Sequence, residues 1–422
     1  MCRLIKILFF SISILFSQSS SLSFYGQGEL FDTYNASAIA QGNSKYFGQN
    51  NNGFSLSSPS TYHNNDFSLL SFSLNFSNNV LLNKDKIFKN NFQLLFFSIP
   101  LSLTKSISFG LKPLYRSELE IYDENYTYIG ADIISPLVNI NSGINQGPMS
   151  YISSFDLDGG ISELFIAFST KVGKKSSLGI SLSKLFGTSK YRYSVDLYSL
   201  SYTSEFDLVE TAFSENNFVM NSQKYSSSRY MLEFRSSFKK LDFVFDYSLS
   251  NALKVHLKEE VHFSSTIFEE STYPNLGRME SNGLGFKYNI REDFSFNSEY
   301  RKLKSFKAHE FLNIFSYQNP DVESIGCGFN YKIYNKSDYH DSMNLRLGVF
   351  RNDYTYNIFN VLDNGFTIGL GINYLEERNS FDFAFKFGTR KSDYLDFNNE
   401  KYYNFYFTIV SSENWFNNKR NK

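Results

Sequence analysis

Apolar and polar side chains alternate with a period of two from residue 67 to residue 410, and the alternation is broken by connections of two distinct lengths. No other feature constrains this chain as tightly, because period two gives a β-strand one apolar and one polar face. Leu70, Phe72, Leu74 and Phe76 alternate with Ser71, Ser73 and Asn75, and Leu164, Ile166 and Phe168 alternate with Phe165, Ala167 and Ser169. Leu178, Ile180 and Leu182 are separated by Gly179 and Ser181. Towards the end, Phe366, Ile368, Leu370 and Ile372 enclose Thr367, Gly369 and Gly371, while Phe381, Phe383, Phe385 and Phe387 enclose Asp382, Ala384 and Lys386.

Short connections fall at 104–105, 173–176, 239–240, 291–293, 335–341 and 376–380, and long polar ones at 77–91, 118–160, 189–227, 251–280, 303–321, 352–364 and 391–400. The two kinds alternate strictly. Seven long and six short connections imply fourteen strands with both ends on the short-turn side. A transmembrane β-barrel has that arrangement, with short periplasmic turns and longer extracellular loops. A soluble sandwich or propeller also alternates in and out, but it seldom collects every long loop at one end, and no blade repeat recurs at a fixed period. The expected fold class is therefore all-β: a fourteen-stranded antiparallel transmembrane barrel.

Composition supports this reading. Phe 46 and Tyr 30 raise the aromatic fraction to 18%, only nine residues are Ala, and mean hydropathy is still negative at -0.31. Aromatics favour strands and Ala favours helices. Lys+Arg 41 against Asp+Glu 42 leaves a net charge of -1, which lacks the basic excess of a nucleic-acid binder. Apolar side chains against lipid and Ser, Asn and charge around a lumen reconcile high aromatic content with low hydropathy.

Arg3 and Lys6 precede an apolar run from Ile7 to Phe16 and then small polar residues, the layout of an export signal, with cleavage expected between positions 17 and 22. The run is about half the ~20 residues of a membrane-spanning helix. Cys2 lies ahead of the run rather than after it, which disfavours lipid anchoring. Once Cys2 is removed, Cys327 stands alone and no internal disulfide can form. The chain divides into a signal peptide at 1–21, a segment at 22–66, the barrel at 67–410 and a periplasmic C-terminal tail at 411–422, with the outer membrane of a Gram-negative-type bacterium as the destination. The segment at 22–66, rich in Gly and Asn and carrying Pro59, is either a flexible periplasmic extension or a plug folded into the lumen.

The stretches GQGELFDTYNASAIAQGNSKYF and SLSSPSTYHNNDFSLLSFSLNF resemble the N-terminal hatch and first strand of FadL-like outer membrane transporters, a group that includes the PorV-type proteins. The Gly-rich opening matches Gly26 and Gly28, and the small-residue run matches Ala36 to Gly42. The turn falls at Ser58, Pro59 and Ser60, where the family pattern is Asn-Pro-Ala. GLKPLYRSE resembles the third strand, GGISELFIAFSTKVGKKSSLGISLSKLFGT the fourth and fifth, and SENWF a terminal motif. The resemblance implies a barrel plugged by its N-terminal hatch that carries fatty-acid-like hydrophobic molecules inward and releases them through a kink or gap in the wall. Its PorV-like branch implies a partner for protein-secretion components.

Alternation places Arg235, Asp242, Asp246, Lys287, Glu299, Arg301, Arg346, Asp382, Lys386 and Arg390 on the polar face, and charge is costly against lipid, so these should line the lumen. Mixed signs suit a hydrogen-bonded lining that anchors a plug; the functional version has Arg346 or Lys386 meeting a carboxylate headgroup. Tyr115, Tyr288, Tyr334, Tyr374, Tyr402 and Tyr403 are expected near strand ends, as an interfacial aromatic belt requires. Ile133, Ile134, Leu137 and Val138 form either an external apolar catch or a loop's own core. His256 and His262, six apart on one strand, stand about 20 Å from each other and cannot share an ion without a bend. His309 and His340 are expected on opposite sides of the membrane. No catalytic residue, metal ligand or cofactor is assigned, and the expected partners are outer membrane lipid, a hydrophobic small molecule and, on the second branch, secretion proteins.

Overall fold

The computed structural model describes residues 22, 28–48, 53–81, 85–125, 149–202, 208–263, 265–273, 277–306, 319–334, 340–357, 359–392 and 400–413. The export segment, Gly26, the apolar residues of the longest loop, His309 and the end of the SENWF motif lie outside them.

Fourteen antiparallel strands form the wall. They are β1 (Ser68–Leu81), β2 (Asp85–Ser102), β3 (Lys105–Asn125), β4 (Met149–Val172), β5 (Ser176–Tyr202), β6 (Leu208–Phe238), β7 (Leu241–Ser250 and Lys254–Phe263) and β8 (Ser265–Tyr273 and Glu280–Asn289). The remaining six are β9 (Phe294–Lys304), β10 (Asp321–Ile333), β11 (Ser342–Thr355), β12 (Asn360–Tyr374), β13 (Asn379–Ser392) and β14 (Glu400–Glu413). β7 and β8 are each interrupted once, yet both halves of β7 pair with β6 and with β8. β14 pairs with β1 from Lys401↔Val80 to Glu413↔Ser68 and closes the barrel. The last strand therefore runs to Glu413, three residues past the expected limit at 410.

The predicted period-two pattern sets which face meets lipid. Leu164, Ile166, Ile180, Leu182, Leu232, Phe234, Phe245, Leu347 and Phe366 are large, apolar and more than a third exposed, and they ring the outside of the wall. No helix among the described residues is long and apolar enough to cross a membrane. The chain crosses with strands, whose backbone groups are satisfied by their neighbours.

The long connections differ from the expectation. Most of 77–91, 189–227, 251–280 and 352–364 is paired strand rather than loop. β5 and β6 stay in ladder up to Tyr202↔Leu208, well above Phe186, the last strongly exposed Phe or Leu among the described side chains of β5. The sixteen residue steps from Phe186 to Tyr202 extend about 50 Å along the strand at ~3.3 Å per residue. The upper parts of β3 to β8 thus continue as one sheet beyond the apolar band. Glycine permits close backbone approach at its base: Gly160 has a φ of 142°, and a Cβ on it would lie 2.2 Å from the Tyr115 carbonyl oxygen.

Candidate functional site: an occupied lumen beside a parted wall

Residues 28–48 and 53–65 run along the inner face of the barrel. A two-residue strand, Glu29–Leu30, pairs antiparallel with Tyr115 and Arg116 of β3. A single helical turn, α1 (Ala36–Ile39), packs against β12, β13 and β14, and a 3-10 helix (Pro59–Asn64) packs against β3 to β6. The Ala36 N–H donates to Thr408 Oγ1 at 2.9 Å and the Gly42 N–H to Thr367 Oγ1 at 3.0 Å. Contacts of this kind reach every side of the wall, so the segment occupies the interior.

Small residues make the approach possible. The run from Ala36 to Gly42 lies against Gly326, Gly328, Gly348 and Gly369, and a Cβ on Gly348 would meet the Gly42 nitrogen at 2.0 Å. The glycines that alternate with apolar residues in β10 to β12 are therefore inward positions that leave room for the inner segment.

Charge fixes the remainder. Glu299 accepts from Ser44 Oγ at 2.7 Å, from the Lys45 N–H at 2.9 Å and from the Tyr46 N–H at 3.3 Å, and its carboxylate lies 2.9 Å from Arg301 Nε. Arg301 in turn pairs with Asp32 and donates to the Asn43 carbonyl. Asp246 holds Lys45 Nζ at 2.7 Å and the Tyr46 hydroxyl. Glu233 accepts from Ser58 Oγ and, at 2.5 Å, from Ser60 Oγ, while Arg235 donates to the Tyr46 carbonyl at 2.7 Å. Arg390 bridges Glu29 of the inner segment at 2.5 Å and Glu400 of β14 at 3.2 Å. Arg346 pairs with Asp382 at 2.5 Å, within the wall. Such buried pairs favour a fixed geometry more than they add stability, but breaking one partner is costly.

The ten residues expected to line the lumen all stand on inward positions. Arg235, Asp246, Glu299, Arg301, Arg346, Asp382, Lys386 and Arg390 are buried, and Asp242 and Lys287 are partly buried opposite each other in register. Five of the ten, Arg235, Asp246, Glu299, Arg301 and Arg390, touch the inner segment directly. Lys386 sits 4.3 Å from the Phe350 ring centre rather than at an open headgroup site. Gly28, Gly42, Ser58, Pro59 and Ser60 all belong to the inner segment.

Sequence reading missed Glu163, Lys112, Arg229, Glu233 and Asp363. Glu163 accepts from Ser183 at 2.6 Å and pairs with Arg229 at 3.2 Å and Lys112 at 3.7 Å. The signal was present, because Glu163 alternates with outward Leu164 and Ile166. Two of the tyrosines expected at the membrane interface are interior instead. Tyr115 bonds Ser305 Oγ at 3.0 Å and Tyr402 donates to Asp363 at 2.8 Å, both fully buried. Tyr288, Tyr334 and Tyr403 are exposed, and Tyr374 is intermediate. Among the described residues no three His, Cys, Asp or Glu converge as metal ligands. His63, on the inner segment, meets Ser169 Oγ at 3.1 Å, and burial pushes its imidazole below the usual value.

The wall is not uniformly zipped. β2 and β3 pair only from Ser102↔Lys105 up to Leu95↔Leu111, and above that the described residues of β2 have no partner on β3. There β3 carries a bulge between Pro113 and Tyr115, and Glu29–Leu30 takes up its vacated edge, with the Phe31 N–H donating to the Leu114 carbonyl at 2.9 Å. The bulge turns consecutive residues Leu114 and Tyr115 inward. Both join an apolar cluster contributed from around the barrel, including Leu22, Ile161, Leu185, Val255, Met279, Phe306, Val322 and Tyr354. A cavity of about 660 Å³ opens beside it, lined by Phe306 and Tyr356 together with Arg278, Glu280, Lys304 and Asp321.

The BamG family model matches residues 1–422, and the chain belongs to that family. Among solved structures, it is similar to a Pseudomonas aeruginosa FadL homologue at 11% identity, TM-score 0.56, over 91% of this chain and 99% of that one. The CymD monoaromatic hydrocarbon channel gives 10% identity and TM-score 0.50 over 94% and 99%. A TodX monoaromatic hydrocarbon channel variant lacking S2 and S3 gives 13% identity and TM-score 0.51 over 91% and 100%. Identities this low establish shared fold. No curated protein matches the sequence.

Proposed function

We propose that this BamG-family barrel is an outer membrane transporter for hydrophobic small molecules, with residues 28–65 as its hatch. The observation that carries the reading is the parted wall. An unzipped stretch between β2 and β3 stands next to an inward apolar cluster, and the strand that takes up the β3 edge belongs to the inner segment itself. A molecule lodged among Leu114, Tyr115 and Ile161 would leave sideways towards lipid once Glu29–Leu30 shifts, with no covalent step. The shared fold with the CymD and TodX channels is consistent with such a ligand class. Polar or charged solutes are disfavoured, because their path would cross the buried ion pairs around Glu299 and Arg390.

The test is to lock the hatch strand. Leu30 and Tyr115 are register partners, and directly opposed strand residues lie close enough for a disulfide. In a Cys327→Ser background, oxidised Leu30→Cys/Tyr115→Cys protein should pass long-chain fatty acid or toluene into proteoliposomes at least about tenfold more slowly, and reductant should restore the rate. Uptake that is unaffected by the lock would refute the lateral route.

A second reading is favoured by a different observation. The sheet formed by upper β3 to β8 stands well beyond the apolar band, more surface than a ligand gate needs, and the family name associates the chain with outer membrane assembly machinery. On that reading the barrel is a docking partner. Shortening 190–222 to a tight hairpin would then abolish co-purification with assembly components and leave uptake intact.

A further inference from the structure

The periplasmic rim is electrically lopsided. Lys105, Lys171, Lys174, Lys175, Lys239 and Lys240 are all exposed and fall on or beside the three turns that join β2 to β3, β4 to β5 and β6 to β7. These turns are neighbours. The Lys171 N–H donates to the Thr104 carbonyl at 2.8 Å, and the Ser237 N–H donates to the Lys175 carbonyl at 2.7 Å. No Asp or Glu occurs in 101–106, 170–177 or 236–241, and none of the six lysines makes an ion pair among the described residues. The far side of the rim instead carries Asp341, Glu376, Glu377 and Glu413, with Lys332 and Arg378 paired to Glu377 and Glu376. Between the two arcs, Arg291 pairs with Asp293 at 3.3 Å.

Apolar side chains share the basic arc. Leu103, Val172 and Phe238 are 73%, 50% and 56% exposed. Lys175 and Lys239 lie 5.1 and 5.7 Å from the centre of the Phe238 ring. Ammonium groups held over an exposed aromatic ring, beside exposed Leu103 and Val172, match the boundary between acyl chains and headgroups rather than open water.

We propose that these three turns bind the phosphate-bearing headgroups of acidic phospholipid in the periplasmic leaflet. The exposed apolar residues decide the occupant, since they place the lysines at headgroup depth on the outer rim, where lipid surrounds the barrel. This inference is independent of the transport reading.

The test is native mass spectrometry of the delipidated full-length protein titrated with phosphatidylglycerol or phosphatidylcholine of equal chain length. Each basic residue near an anionic surface contributes about fivefold. Wild type should retain phosphatidylglycerol at least about tenfold over phosphatidylcholine. Lys174→Gln/Lys175→Gln/Lys239→Gln/Lys240→Gln should bring the two to parity, while the four-arginine counterpart should keep the preference and guard against misfolding. Lys190→Gln/Lys224→Gln, above the apolar band, should change nothing. Equal retention of both lipids by wild type would overturn the proposal. So would unchanged lipid preference in the glutamine variant combined with salt-sensitive loss of an envelope protein from it, which would assign the arc to an acidic protein partner.

Discussion

Replacing Glu299 with alanine should release the hatch without unfolding the barrel. Its carboxylate takes one side-chain and two backbone donors from residues 44–46 and neutralises Arg301. Hydrogen bonds to a charged group contribute about 1.5–3 kcal/mol each, but water entering the vacated space recovers part of this. Arg301 also keeps Asp32. The net loss of anchoring should be about 3–5 kcal/mol, the range for breaking one partner of a buried pair. At 1.4 kcal/mol per decade, that raises the undocked fraction roughly a hundredfold to a few thousandfold. Planar bilayer recording reads the change directly, as openings absent or rare in wild type become frequent in Glu299→Ala. The control is Glu323→Ala, which removes an exposed pair with Lys302 and should leave the record unchanged. An opening probability within about threefold of wild type, in protein that still shows heat-modifiable mobility, would refute the anchoring argument.

Other consequences are measurable on the same protein. Gly348→Val should block docking of the run from Ala36 to Gly42, because the new side chain would collide with the Gly42 backbone, and protease should then cleave within 28–65 at least about tenfold faster. Gly160→Val should strain the base of the extended sheet and lower the midpoint of thermal unfolding, whereas Gly173→Ala, which meets no neighbour and carries only the cost of its positive φ of 70°, should have a smaller effect. His63 is held below its ordinary value, so its neutral form favours docking. That contribution is complete above about pH 6.5 and is lost as pH falls through the lower folded value, so protease access to 28–65 should rise on acidification and His63→Asn should flatten the profile.

Legibility followed the physical environment. Leu70 to Phe76 and Phe381 to Phe387 were readable because lipid on one side and a polar interior on the other impose period two. The same asymmetry located Arg235, Glu299 and Arg390. Residues 189–227 read as loop because the side chains buried on its inner face, Ser189, Tyr191, Asn217, Asn221 and Tyr225, are as polar as those outside and leave no apolar–polar contrast, although the described residues form a backbone ladder broken only by bulges at 195–198. The bulge at Pro113 to Tyr115 had no periodic signature either, since one extra residue shifts the pattern by a single step, and Tyr115 turned inward as a result. The aromatics expected mainly outside also fill the interior, where Phe54, Tyr62, Phe96 and Phe165 pack between inner segment and wall. Their contacts depend on the inner segment's path, which composition alone does not specify.

The wall is open between β2 and β3, and the inner segment holds the exposed edge. Disulfide competition at one position measures it. In the Cys327→Ser background, Tyr115→Cys is paired in turn with Leu30→Cys, its partner in the structure, and with Asn91→Cys, the residue it would face if the β2–β3 ladder continued. Phe97→Cys/Phe109→Cys, within the zipped stretch, reports full oxidation. Rapid oxidation with Leu30→Cys and none with Asn91→Cys is the expected result. The reverse would show a closed wall with the inner segment elsewhere, and would rule out a parted β2–β3 seam.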